Sequence, residues 1–76
     1  MNSLEILRRG EVLDLQGIRL QMEVGELAPG DLYVAERNTG AKLLTAESVN
    51  KDRRWVQSTC NAYPYDLHEC VKVKEA

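Results

Sequence analysis

At 76 residues the chain has room for one domain with one core. Ten Lys and Arg against twelve Asp and Glu leave a formal net charge of −2, which argues against a general affinity for polyanions while allowing a local basic patch. No apolar run is long enough to span a membrane, and the first ten residues carry charges where a signal peptide needs an apolar core. We therefore expect a cytoplasmic protein with no membrane partner, whose two cysteines are reduced. A chain this short buries only about 60% of the surface its unfolded form exposes, so nearly every apolar side chain must contribute. With no Phe, one Trp and three Tyr, the core must be largely aliphatic.

Residues 2–9 open with Asn2 as an N-cap and Glu5 in the first turn, so one or two helical turns are preferred. Leu4 and Leu7 would share a face, and Gly10 would stop the helix. A short strand with Leu4 and Ile6 inward is the alternative. Leu13 and Leu15 alternate with Asp14 and Gln16. Ile18, Leu20, Met22 and Val24 then alternate with Arg19, Gln21 and Glu23, the pattern of a half-buried strand. Gln16-Gly17 between the two runs predicts a tight hairpin.

Leu27 to Asp31 reads as a turn, with Pro29 presetting φ and Gly30 accepting the left-handed position. A strand over Leu32 to Arg37 follows, then a turn at Asn38-Thr39-Gly40 and a strand over Lys42 to Val49. In that strand Leu43, Thr45 and Val49 fall on one face, and Leu44, Ala46 and Ser48 on the other. Asn50-Lys51-Asp52 is a polar tip, and Arg54 to Thr59 returns with Trp55 and Val56 on opposite faces. Pro64 forces Tyr63 to be extended. Asp66 and Glu69 make a possible capping box for one helical or 3-10 turn. Cys70 to Lys74 is the last strand, with Val71 and Val73 inward and Lys72 and Lys74 outward.

This order is mainly β: a hairpin, a turn, a meander, a 3-10 turn and a final strand. From Leu27 to Val73 it resembles the small SH3-like barrels, which often place a short 3-10 turn before the last strand. The likeness is one of element order. Residues that bind polyproline are not recognisable, so it implies no ligand. A β-roll is the alternative architecture.

Cys60, His68 and Cys70, with Asp66 nearby, are the only soft metal ligands. They lack the paired Cys-x-x-Cys knuckles of zinc sites, so no metal is expected. A Cys60–Cys70 disulfide is geometrically conceivable. Nucleophilic catalysis would need a base and an oxyanion site beside a thiol; only two of these parts are present, so we expect no enzyme. Gly25, Gly30 and Gly40 are spaced as turns, not as a phosphate-binding loop, and no cofactor is expected. Glu23, Glu26, Asp31, Glu36 and Glu47 are scattered and read as solvating exposed faces.

The patch worth weighing is basic and aromatic. Lys51, Arg53, Arg54 and Trp55 share one hairpin, Arg37 and Lys42 flank the other, and Tyr63 and Tyr65 lie near the 3-10 turn. Arg beside Tyr and Trp is what protein interfaces favour, so Tyr33, Tyr63, Tyr65 and Trp55 are interface candidates with these cations. We expect a non-enzymatic module that binds another protein, of a type common among bacterial, phage and prophage accessory proteins. The alternative is nucleic-acid binding, with bases stacked on aromatics beside a cationic groove.

Overall fold

The computed structural model describes residues 7, 9–10, 13–15, 17–36, 43–59 and 64–76, with residues 13 and 15 described by backbone alone. The strands are β1 (Leu13–Leu15), β2 (Ile18–Met22), β3 (Leu32–Ala35), β4 (Leu44–Asn50), β5 (Trp55–Ser58), β6 (Tyr65–Asp66) and β7 (Cys70–Glu75). A 3-10 turn, Leu67–Glu69, joins the last two. All pairings are antiparallel, in the order β1-β2-β7-β3-β4-β5-β6. The final strand therefore lies between the N-terminal hairpin and the β3–β6 meander.

The mainly β expectation holds, but the closed barrel does not. Among the described residues β1 and β6 each pair on one side only. Closure needs terminal strands long enough to ladder onto each other. These two have three and two residues.

Two turns follow directly from the sequence. Leu15 pairs with Ile18 in the first hairpin, and Gly17 between them has φ 79°. In the second, Pro29 and Gly30 occupy the central positions, Gly30 has φ 93°, and Asp31 N–H donates to Ala28 O at 3.0 Å. The Asp31 carboxylate accepts from Ala28 N–H at 2.8 Å. Gly30 N–H donates to Ala46 O at 2.8 Å, and Ala46 N–H donates to Asp31 O at 2.9 Å, which stitches this turn to β4.

Side chains pack on both faces of the sheet. On one face Leu7, Leu20, Val34, Val71 and Val73 form a buried cluster, joined by Ile18, Leu32 and Leu43. On the other, Leu27, Tyr33, Ala35, Leu44, Ala46 and Val56 are buried, with Val49, Tyr65, Leu67 and Cys70 against them. β3 supplies both clusters, because three of its four residues are buried. A continuous apolar run of this kind marks a strand covered on both sides.

Several expected details change. Met22 and Val24 continue the alternation of β2 but lie beyond the packed region, and Val24 is 91% exposed. Val49 joins the face of Leu44 and Ala46, where simple alternation sets it on the other. The cause is a bulge: Ala46 pairs with Ser58 and Ser48 with Gln57, so one extra residue, Glu47, is inserted in β4. The capping box does not form, since Asp66 makes no side-chain cap and Glu69 is buried. At the N-terminus, Leu7 is buried and its carbonyl accepts from Gly10 N–H at 2.9 Å. The rest of the expected helical turn, the Asn38-Thr39-Gly40 turn, Arg37, Lys42, Cys60 and Tyr63 lie outside the described residues.

Leu20 is fully buried at the centre of one cluster, whereas Val24 is almost fully exposed. Leu20→Ala is expected to cost about 2–5 kcal/mol, a large share of the stability of so small a domain, while Val24→Ala costs about 0.5 kcal/mol or less. Urea denaturation of the two variants checks the contrast. Similar losses in both would contradict this assignment of the core.

Candidate functional site

The β4–β5 hairpin closes through four residues, 51–54, because Asn50 pairs with Trp55. The Asn50 side-chain oxygen accepts from Arg53 N–H at 2.9 Å, a local turn made by an Asn at the loop start. The last loop residue, Arg54, is the one described residue other than glycine with positive φ, at 58°. Its carbonyl accepts from Leu67 N–H at 2.9 Å, which ties the hairpin tip to the 3-10 turn. A left-handed arginine costs on the order of 1 kcal/mol, offset here by the contacts on either side.

This tip closes one side of an open groove of about 350 Å³. Gly25, Glu26 and Leu27 line it from the segment before β3, and Leu67, Cys70 and Lys72 complete the lining with Lys51 and Arg54. The groove thus sets two leucines and a thiol among three cations and one carboxylate. Lys51 Nζ donates to Glu26 Oε2 at 2.8 Å, with both side chains largely exposed. The hydrogen bond and charge of Lys51 hold the Glu26 carboxyl below its ordinary pKa, and Glu26 raises that of Lys51 in return.

Lys72 is different. Its side chain is only 19% exposed, with Nζ 3.5 Å from Asp31 Oδ2 and 3.9 Å from Glu23 Oε1. It lies opposite Tyr33 on the sheet, with its ammonium beside Gly25. Arg54 has no carboxylate partner among the described residues.

Cys70 Sγ donates to Asp66 O at 3.3 Å. Burial, and then the negative charge of Glu69 and Asp66, push its thiol up to about 12. A thiol held protonated is a poor nucleophile and a poor metal ligand. Asp66, His68 and Glu69 do gather, with ligand atoms within 4.8 Å of one another. This differs from the Cys60, His68, Cys70 set considered from the sequence, since Cys70 turns to the Asp66 carbonyl and Cys60 lies outside the described residues.

The structure separates the aromatic residues that the sequence suggested might act together. Tyr33 is fully buried, so it lies in the core and not on a surface. Tyr65 pairs with Val56 and packs against the same cluster. Trp55, adjacent to Val56 along the strand, projects to the opposite face and is half-buried. Trp55 and Tyr65 therefore do not share a platform. Lys51, Arg53 and Arg54 are all exposed at the tip, and Lys51 and Arg54 reach the groove.

The sequence reading missed Glu26, Leu27, Leu67 and Lys72 as members of one site. It also took Glu23, Glu26 and Asp31 for scattered solvating charges, although each faces a groove lysine. No family model, curated protein or solved structure matches the chain. Among the described residues, no helix is long and apolar enough to cross a membrane.

Two measurements probe the chemistry beneath the groove. In a Cys60→Ser background, iodoacetamide at pH 8 is expected to alkylate Cys70 roughly a hundredfold or more slower than a free cysteine. Rapid alkylation would contradict the raised pKa. The Tyr33 and Ser58 hydroxyls are buried without a hydrogen-bond partner. Burial raises the Tyr33 pKa. Tyr33→Phe should therefore leave stability unchanged or raise it by up to about 1 kcal/mol in a urea titration. A loss beyond that would show that the hydroxyl is paired.

Proposed function

We propose that this chain is a non-enzymatic binding domain that docks a segment of another protein in the groove between the 25–27 loop, the β4–β5 tip and the 3-10 turn. The observation that carries this reading is the lining itself. The half-buried Leu67, beside the buried Leu27, offers apolar contact, while Lys51, Arg54 and Lys72 line the same groove with positive charge. Pockets that hold a ligand combine an apolar surface with a few converging polar groups in this way. Arg54 adds a planar donor fork with no carboxylate on it among the described residues, the group best suited to bidentate recognition.

Separation of Trp55 from Tyr65 weighs against the nucleic-acid reading, which needs aromatics beside the cations. The carboxylates facing the largely buried Lys72 weigh against it further, because they occupy the charge that phosphates would take.

Selection of a random peptide library on the immobilised protein is expected to enrich binders. Arg54→Ala and Leu67→Ala should weaken them by about tenfold each, with the variants still folded by circular dichroism. Gel-shift assays at low salt should show no complex with single- or double-stranded DNA or RNA. Enriched peptides indifferent to both substitutions, or a salt-sensitive nucleic-acid complex that needs Arg53 and Arg54, would overturn the proposal.

A further inference from the structure

We infer that the groove selects an acidic segment of its protein partner, and that Glu26 occupies the place of the partner's carboxylate in the free domain. This rests on the docking reading above and adds the chemistry of the ligand and its internal competitor.

Lys51 and Arg54 are the first and last residues of one four-residue loop, and both line the groove. Of these two cations, Lys51 holds Glu26 at 2.8 Å, and Arg54 has no carboxylate among the described residues. Glu26 reaches Lys51 from a separate loop, 25 residues away in sequence, and both residues line the groove. Both side chains are largely exposed, 67% and 81%, and exposed pairs contribute little to stability because water and salt compete for each charge. An incoming carboxylate can therefore displace Glu26 without disturbing the core. Once displaced, Lys51 and Arg54 together present two cations to it.

Lys72 stays with Asp31 and Glu23 at the back of the groove and is the less available charge. The half-buried Leu67 lines the same groove, which favours an apolar residue next to the acidic one. The fixed backbone at Arg54, pinned through its carbonyl to Leu67 N–H, sets the direction from which the guanidinium leaves the loop.

The test is fluorescence anisotropy with a labelled peptide of alternating glutamate and leucine, beside its glutamine-for-glutamate counterpart. Wild-type protein should prefer the glutamate peptide. Glu26→Ala should tighten its binding by about threefold or more, and Arg54→Ala should weaken it by about tenfold. In a Lys51→Ala background, Glu26→Ala should lose its effect, since the two residues act through one contact. Glu47→Ala changes net charge equally but lies outside the groove, and should not tighten binding.

Equal gains from Glu26→Ala and Glu47→Ala would reduce the effect to bulk charge and overturn the inference. So would unchanged affinity in Glu26→Ala with loss in Arg54→Ala, an outcome that leaves the docking groove intact. Binding indifferent to Arg54, Lys51 and Leu67 would overturn the groove as well. No binding of the glutamate peptide by Glu26→Ala at millimolar concentration would overturn the acidic ligand, while library peptides that need Arg54 would still uphold the docking surface.

Discussion

β7 hydrogen-bonds along both of its edges, and the other elements are arranged around it. On one side it pairs with β2, from Leu20↔Glu75 to Met22↔Val73; on the other it pairs with β3, from Leu32↔Val73 to Ala35↔Cys70. Among the described residues, no other strand ladders the N-terminal hairpin to the β3–β6 meander. Its alternation also serves both faces of the sheet. Val71 and Val73 enter one cluster, while Cys70 packs against the other and Lys72 projects beside it. The groove thus rests on a central strand, with its backbone fixed on both edges.

That placement explains the charges. A lysine on a central strand has little water around it, and a half-buried ammonium needs carboxylates or a path to solvent. Lys72 has both: Asp31 and Glu23 on one side, and the groove on the other. Asp31 serves twice, since the oxygen facing Lys72 also accepts from Ala28 N–H in the Pro29-Gly30 turn. The turn that starts β3 and the charge under the groove are therefore one construction. At the hairpin tip, the rigidity of Arg54 comes from backbone contacts, while the Lys51–Glu26 pair opposite is held only by exposed charges.

Local chemistry was legible in the sequence where one or two residues decide the outcome. Gly17, Pro29 and Gly30 fixed their turns by φ alone, and Val71 and Val73 announced the inward face of β7. Strand pairing was not legible, because which strand lies beside β7 depends on contacts distant along the chain. The groove was hidden for the same reason: Glu26, Lys51, Leu67 and Lys72 come from four separate segments. A signal did exist for the double-sided sheet. Leu32, Tyr33, Val34 and Ala35 form an unbroken apolar run, which a strand with one wet face does not need. It would have moved Tyr33 from the surface to the core. The Glu47 bulge left a fainter trace, since Leu44, Ala46 and Val49 point inward together only if one residue between them is extra.

The position of β7 also bears on how the chain reaches this structure. Met22 and Val73 pair roughly fifty residues apart in sequence, so loop closure must be met before their contacts repay it. The meander can form from neighbours, and so can the hairpin, but each then presents an open strand edge, β3 in one and β2 in the other. Until β7 fills the gap, those edges can pair with any extended chain, including another copy. Folding speed and freedom from aggregation in this domain are therefore set by how quickly one six-residue strand finds its slot.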